Sequence, residues 1–249
     1  MYRVDRLGPT RRPAGAPQGF QRWHQLLFSH WEVPEQLLRP LVPKRLELDA
    51  FDGRYYVGVV AFTMQNVRPW RWAPGVPSAT QFGEINLRTY VHLAGGEPGV
   101  YFFSLDAASA LVVWAARTFW GLPYFHADVK IEAAPTRIEY RALRRQPRLE
   151  FSAQATLGRP LPVSSLDSLQ YFLCERYQFY TERRGKLQRA RVHHAPYELV
   201  AVEQATVDTT LLRAAGLPEV GLLNQGEQVP HLFSPGVDVD VFALEDVTI

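Results

Sequence analysis

Three polar side chains at alternate positions of one predicted strand have the chemistry to hold a small organic acid. The segment 84–93 alternates strictly, so Glu84, Asn86 and Arg88 share one strand face, each about 7 Å from the next. An arginine fork binds a carboxylate, an amide donates to a carbonyl, and a carboxyl group acts as a base. Such a face suits a pocket for a carboxylate or an enolate. It also fits an ordinary polar face turned to solvent, and the sequence leaves both interpretations open.

The motifs that several other chemistries need are missing. The sequence has no G-x-x-x-x-G-K-[ST], G-x-G-x-x-G, G-x-S-x-G or H-E-x-x-H pattern. His193 and His194 are adjacent, so on a strand they point to opposite faces and do not share one metal ion. The single cysteine, Cys174, has no partner for an internal disulfide or a cysteine zinc site. We therefore predict neither a metal nor a cofactor.

Charge and hydropathy exclude further classes of partner. The 27 basic and 25 acidic residues of the 249-residue chain leave a net charge of +2, which is too balanced to favour nucleic acid. No apolar run reaches the roughly 20 residues of a membrane-spanning helix, and no apolar segment follows the charged N-terminus as in a signal peptide. We expect a cytoplasmic protein with no membrane or nucleic-acid partner.

Strands dominate the elements that must position these residues. Apolar or alternating runs predict strands at 23–33, 46–51, 54–64, 84–93, 100–105, 126–133, 137–143, 149–157, 177–184, 187–192, 197–204 and 237–244. The Asp52-Gly53 dipeptide predicts a tight hairpin turn. Helices are predicted at 34–39, after an N-cap at Asp106, at about 166–175 and near Leu211.

This pattern predicts the fold class and the domain organisation. Many strands at short spacing, two or three helices and no βαβ alternation indicate an α+β fold with a large, mainly antiparallel, barrel-like sheet. Residues 1–19 are rich in Pro and Gly and lack apolar periodicity, so we predict a flexible N-terminal arm. Residues 20–249 contain no linker or repeat and are predicted to form a single domain.

Six segments spread over nearly the whole chain together carry a family likeness. They are WHQLLF at 23–28, VPEQLLRPLVP at 33–43, FDGR at 51–54, EINLRTYV at 84–91, GVYFFSLD at 99–106 and SPGVDV at 234–239. The set resembles the YqjF-like domains of unknown function, which belong to the acetoacetate decarboxylase-like superfamily. The resemblance implies a barrel-containing α+β fold around an internal pocket, in a family whose activity is unassigned.

The segment 117–125, RTFWGLPYF, is similar to the Arg-Glu-x-x-Gly-x-Pro-Lys-Lys segment of the decarboxylases. In that segment the first lysine forms a Schiff base and the second helps to depress its pKa. Tyr124 and Phe125 occupy those two positions here, and neither side chain can form an iminium. Thr118 replaces the glutamate of the segment, whereas Glu84 matches an active-site glutamate of the decarboxylases.

No other lysine is a convincing substitute. Lys44 and Lys186 fall in turns, and Lys130 has Asp128 and Glu132 on its own strand face. Neighbouring anions raise the pKa of an amine and so disfavour the neutral nucleophile. We therefore do not expect Schiff-base decarboxylation.

Combining residues and resemblance gives a predicted site. We assign Glu84 as the candidate acid/base and Tyr124, at the family lysine position, as the second catalytic candidate. The predicted substrate-binding residues are Asn86, Arg88, Arg117, Trp120 and His126. The expected ligand is a small organic acid or an apolar molecule, held by a binder or turned over by an enzyme.

An alternative of another class rests on the loop 66–80. Trp70, Trp72 and several prolines make this segment a candidate lid over a pocket or a loop packed on its own tryptophans. In the alternative, side chains fill the barrel and the two tryptophans recruit a protein partner.

Overall fold

A computed structural model describes residues 4–68, 81–93, 96–219 and 229–247. Trp70, Trp72 and most of the predicted lid lie outside the described residues. The strands are β1 (Gly19–Glu32), β2 (Glu47–Leu48), β3 (Tyr56–Arg68), β4 (Gln81–His92), β5 (Pro98–Ala107), β6 (Tyr124–Ala134), β7 (Arg137–Arg145), β8 (Arg148–Pro160), β9 (Gln178–Arg183), β10 (Lys186–His193), β11 (Val200–Thr209), β12 (Leu232–Val241) and β13 (Glu245–Asp246).

Four short helices accompany the strands in the described part of the chain: α1 (Glu35–Leu38), α2 (Ala110–Ala115), α3 (Leu169–Cys174) and α4 (Leu211–Ala214). A π-helical turn over Ala116–Trp120 continues α2 and ends at Gly121, whose φ of 64° suits glycine. The predicted N-cap at Asp106 is wrong. Ser109 caps α2 by accepting from the Val112 amide, because Asp106 still belongs to β5.

All thirteen strands form one sheet, and part of it closes into a ring. Along the sheet the order is β13-β10-β9-β5-β6-β7-β8-β11-β12-β1-β3-β4-β2, and a further pairing between β4 and β5 closes a ring of nine strands. A short pairing of β10 with β12 closes a second circuit, on the outer side of this ring, through β9 and β5. Only the pairings of β5 with β6 and with β9 are parallel among those recorded. The large, mainly antiparallel, barrel-like sheet is confirmed. The Asp52-Gly53 turn is also present, between the bridged residues Phe51 and Arg54.

The ring separates two apolar cores. The inner core takes side chains from all nine ring strands and therefore fills the ring; Leu27, Val59, Ile85 and Tyr140 are members. The outer core lies between the outside of the ring and the helices α2 and α3; it includes Phe28, Phe62, Tyr90, Val113 and Phe172.

The alternation of β4 distributes its side chains between these cores. Ile85 and Leu87 belong to the inner core, and Tyr90 belongs to the outer core. Glu84, Asn86 and Arg88 alternate with the first two, so they face the outer core, and all three are buried. The polar face is therefore turned to the outer core and away from solvent, and the end of α3 contacts it at Arg88.

Residues of the predicted flexible arm make specific contacts. Arg6 donates to both oxygens of the Asp49 carboxylate, and the Tyr171 hydroxyl donates to the Arg6 carbonyl. Farther along the arm, Arg12 pairs with Asp240 on β12. In the described part of the chain, no helix is long and apolar enough to span a membrane.

Candidate functional site

A hydrogen bond between β6 and β4 forms the centre of the candidate site. The Tyr124 hydroxyl donates to Glu84 Oε2 over 2.9 Å. β5 lies between the two strands, and its Ala107 is the register partner of Glu84 while Leu105 is the partner of Tyr124. The methyl group of Ala107 leaves room for the phenol to reach across one strand.

The Glu84 carboxyl is held largely in its neutral form. Burial raises its pKa from the ordinary 4.5 to about 8; the Tyr124 hydrogen bond opposes this, and the negative charge of Asp106 adds to it. None of the described cationic side chains forms an ion pair with Glu84. A carboxyl group with this pKa donates a hydrogen bond at pH 7 and becomes a base slightly above it.

Asn86 and Arg88 continue the same face with unsatisfied polar atoms. Asn86 Oδ1 and Arg88 Nε are buried and have no hydrogen-bond partner among the described residues. One guanidinium nitrogen of Arg88 donates to the Leu173 carbonyl at 3.1 Å, and its Cζ lies 5.8 Å from the Tyr90 ring centroid. No described carboxylate pairs with Arg88, although a buried cation is costly without a counter-charge. An anionic ligand would supply that charge.

The end of α3 supplies part of the surroundings. Leu173 lies in the last turn of α3, where carbonyl groups have no partner within the helix. Its carbonyl accepts from the Tyr90 hydroxyl at 2.8 Å as well as from Arg88. His30 Nε2 is 2.7 Å from the same hydroxyl, and burial lowers the pKa of His30 well below its usual range. Neutral His30 and Tyr90 therefore fix the helix end over β4.

The structure brings four of the seven predicted site residues together and separates the other three. Glu84, Asn86, Arg88 and Tyr124 line one buried face, with 2%, 5%, 8% and 7% of their surfaces exposed. Arg117 lies exposed on the π-helical turn, and His126 lies exposed on β6. Trp120 is half-buried at the edge of the outer core, 6.3 Å from Phe179 between ring centroids.

Three residues on the other face of the sheet were not predicted. Asp106 of β5 and Arg144 of β7 form a buried bidentate ion pair, and Arg144 Cζ lies 3.8 Å from the Phe125 ring centroid. In the sequence, four arginines at 141, 144, 145 and 148 crowd one hairpin end, a pattern typical of a solvated charged loop. The alternation of β7 carried the missing signal, because it places Arg144 on the same face as the buried Tyr140 and Ala142.

The lysines and the clefts lie elsewhere. Lys44, Lys130 and Lys186 are all exposed. One cleft of about 440 Å³ is lined by residues that include His194, Glu198 and Asp238. A second, of about 280 Å³, reaches Leu122 and Pro123, which directly precede Tyr124. In the described part of the chain, no three His, Cys, Asp or Glu side chains are grouped as metal ligands.

Comparison with known sequences gives a family and one close relative. Residues 20–238 match DUF2071, a family described as an uncharacterized conserved protein. The chain is 41% identical over 220 residues to the uncharacterized protein YqjF of Bacillus subtilis (strain 168). The aligned region covers 86% of this chain and 90% of the relative.

Comparison with solved structures gives the fold. Acetoacetate decarboxylase from Legionella pneumophila aligns with a TM-score of 0.67 and 14% identity, over 96% of this chain and 92% of its own. The enduracididine biosynthesis enzyme MppR, complexed with pyruvate, aligns with a TM-score of 0.63 and 12% identity, over 96% of this chain and 93% of the MppR chain. An acetoacetate decarboxylase-like enzyme from Sphingomonas wittichii RW1 aligns with a TM-score of 0.60 and 12% identity, over 95% of this chain and 96% of that enzyme. At these identities, the likeness shows the fold alone.

Proposed function

The chain belongs to the DUF2071 family of uncharacterized conserved proteins and has an acetoacetate decarboxylase-like fold, and we propose that it binds a small keto acid. In this proposal, Glu84 exchanges a proton with the bound keto acid. The reaction needs no covalent bond to lysine. The ligand lies on the outer face of β4, beneath α3.

One observation carries this proposal: the buried Glu84 carboxyl is bonded to a phenol and not to a cation. Burial keeps its pKa near 8, so both protonation states are available close to neutral pH. A carboxylate paired with arginine would remain ionised and would be a much weaker base. The Glu84 carboxyl is therefore suited to take a proton from carbon and to return it.

The neighbouring side chains define an orientation for the ligand. Its carboxylate would pair with Arg88, whose Nε has no partner among the described residues, and its carbonyl would lie near Asn86 and Tyr124. Glu84 removes a proton from C3, the carbon next to the ketone, and the electron pair of that C–H bond moves into an enolate. Once Glu84 has taken the proton, the Tyr124 hydroxyl can turn from its carboxyl and donate to the enolate oxygen. Return of the proton to carbon restores the keto acid.

Two further points support a keto acid that is not bound covalently. Tyr124 stands at the position of the Schiff-base lysine in the resembling decarboxylase segment, and the three lysines of this chain are exposed. MppR, which has a similar fold, is known in complex with pyruvate, a keto acid. Borohydride added with pyruvate should therefore leave no stable adduct on the protein.

Proton exchange tests the proposal directly. In D₂O, wild type should accelerate deuterium incorporation at C3 of pyruvate or 2-oxobutyrate, followed by ¹H NMR, and the rate should rise as pH passes through about 8. Glu84→Gln should lower the rate by about 100-fold or more while ligand-induced thermal stabilisation remains. Glu132→Gln, an exposed carboxyl on β6, is the matched control and should match wild type.

The other outcomes separate the alternatives. Thermal stabilisation by keto acids without exchange would indicate a binding protein. If keto acids cause neither thermal stabilisation nor exchange, the proposal is contradicted. That result would favour the alternative in which the chain recruits a protein partner. For that role the described chain offers Trp114 and Phe119, each 58% exposed and in edge-to-face contact at 5.7 Å.

A further inference from the structure

A second cluster lies directly behind the Glu84 site, on the inner face of the same strands. Asp106 accepts from Arg144 Nε and Nη2 at 2.5 and 2.6 Å, and each side chain is at most 2% exposed. β6 runs between β5 and β7, so this ion pair crosses β6. The Phe125 ring, which belongs to β6, lies 3.8 Å from Arg144 Cζ.

This cluster and the Glu84 site share a short piece of backbone. Tyr124 and Phe125 are consecutive residues of β6, so their side chains point to opposite faces of the sheet. The outer-face phenol bonds to Glu84, and the inner-face ring packs on the Arg144 guanidinium. Asp106 is paired in register with Phe125 on one side and with Ile85, next to Glu84, on the other. The two clusters therefore share β5 and β6 and hold these two strands from opposite faces.

We propose that Asp106, Arg144 and Phe125 form a clamp of positioning residues that holds the Tyr124 hydroxyl on Glu84 and limits the negative potential reaching the Glu84 carboxyl. This inference rests on the proposed acid/base role of Glu84. The three residues touch no ligand; they act through Tyr124 and through the electrostatic field.

The charges around Glu84 give this clamp a defined electrostatic effect. The described groups that act on its titration are Tyr124 from β6 and Asp106 from β5, and the facing residue of β3 is the apolar Phe62. Asp106 raises the pKa of Glu84, whereas the Tyr124 hydrogen bond lowers it. Arg144 partly offsets the Asp106 charge at the inner face. Loss of Asp106 and loss of the Phe125 contact should therefore move the Glu84 titration in opposite directions.

Titration of Glu84 in the ligand-free protein tests this directly. The carboxyl carbon is followed by ¹³C NMR in protein labelled at glutamate and assigned with Glu84→Gln. Asp106→Asn should lower the titration midpoint by about one pH unit, because an anion is removed and the Arg144 cation remains. Phe125→Leu should raise it by about half a pH unit, because a less well fixed phenol stabilises the ionised form less.

The matched control is an exposed ion pair between β6 and β7. Arg145 donates to Asp128 at 2.7 Å, with side chains 76% and 50% exposed, so Asp128→Asn should leave the midpoint unchanged. Mere loosening of the structure would hydrate Glu84 and lower the midpoint in both test variants. Opposite shifts are therefore specific to the clamp. If Asp106→Asn does not fold, Phe125→Leu decides alone, and a midpoint that does not rise overturns the proposal.

The result also separates the clamp from the proposed function. A wild-type midpoint near 8 with no opposite shifts would overturn the clamp alone. A wild-type midpoint near 4.5 would overturn both, because Glu84 would then be an ordinary carboxylate. Opposite shifts without deuterium exchange would support the clamp and contradict the proposed reaction.

Discussion

Glu84 and Asp49 are two buried carboxyl groups whose pKa values are shifted in opposite directions. Burial opposes ionisation of both, yet Asp49 has a pKa below its ordinary value, because Arg176 and Arg6 outweigh the cost of burial. Glu84 receives one hydrogen bond from a phenol, which does not compensate its burial, and its pKa rises to about 8. The number of cationic partners, not burial, decides which carboxyl stays ionised.

The two groups accordingly do different work. Asp49 accepts from Arg6 and Arg176, with contacts of 2.7 Å, and so ties the N-terminal arm to the segment after α3. Glu84 joins β4 to β6 through a bond that contributes far less to stability. A structural anchor is fully paired, whereas the proton exchange that we propose for Glu84 is favoured by the lack of a permanent counter-charge.

The largest expected effect is on the pH dependence of stability. Glu84 has a higher pKa in the folded than in the unfolded protein, so its contribution to the free energy of unfolding falls as pH rises from 4.5 to about 8. At about 1.4 kcal/mol per pH unit, the fall amounts to up to about 5 kcal/mol. Urea denaturation between pH 5 and pH 9 should show this decline in wild type, and Glu84→Gln should remove most of it. An equal decline in both proteins would contradict the neutral carboxyl.

Asp49 should produce the opposite dependence at acid pH. Its folded pKa lies below 3.8, so its stabilising contribution is complete above 3.8 and is lost as pH falls further. At pH 7, Asp49→Asn should lower the free energy of unfolding by about 4 kcal/mol, because Arg176 stays buried without its carboxylate. Asp238→Asn is the control for an exposed pair with Arg22 and should cost under about 1 kcal/mol. Equal losses would show that Asp49 is no anchor.

The smallest effect concerns the hydrogen bond of Tyr124. Tyr124→Phe should lower the free energy of unfolding by about 1 kcal/mol at pH 7 and by more at pH 9, where the acceptor Glu84 is ionised. Tyr140→Phe removes a comparable bond to the Gln25 carbonyl, an acceptor that does not titrate, and should cost the same at both pH values. A cost for Tyr124→Phe that does not change with pH would place Glu84 outside the titrating range.

Sequence reasoning found the acidic member of the site but not its setting. Alternation in 84–93 placed Glu84, Asn86 and Arg88 on one face, and the decarboxylase-like segment pointed to Tyr124. Arg117 was chosen as the arginine of that segment and His126 as the neighbour two residues beyond Tyr124, and both are exposed. His126 shares the outer face with Tyr124, because β6 pairs with β5 in regular register through 126, but this face of β6 is open to solvent from His126 onward.

The inner-face cluster was missed for a different reason. Asp106 was interpreted as a helix cap because an acidic residue before an apolar run is typical of one. Its actual partner, Arg144, is 38 residues away and meets it only because β6 brings β5 and β7 to either side. A local sequence pattern cannot reveal a contact between residues that lie this far apart in the chain.

The sequence by itself determined which side chains share a face of β4 and that Tyr124 and Phe125, not lysines, follow Pro123. Both follow from covalent geometry and residue identity, which are local. Only the tertiary structure decided that this face lies beneath α3, that Tyr124 reaches Glu84 across β5, and that no described cation neutralises the carboxyl. Those facts depend on closure of the ring and on burial, and it is burial without a counter-charge that raises the pKa of Glu84 to about 8.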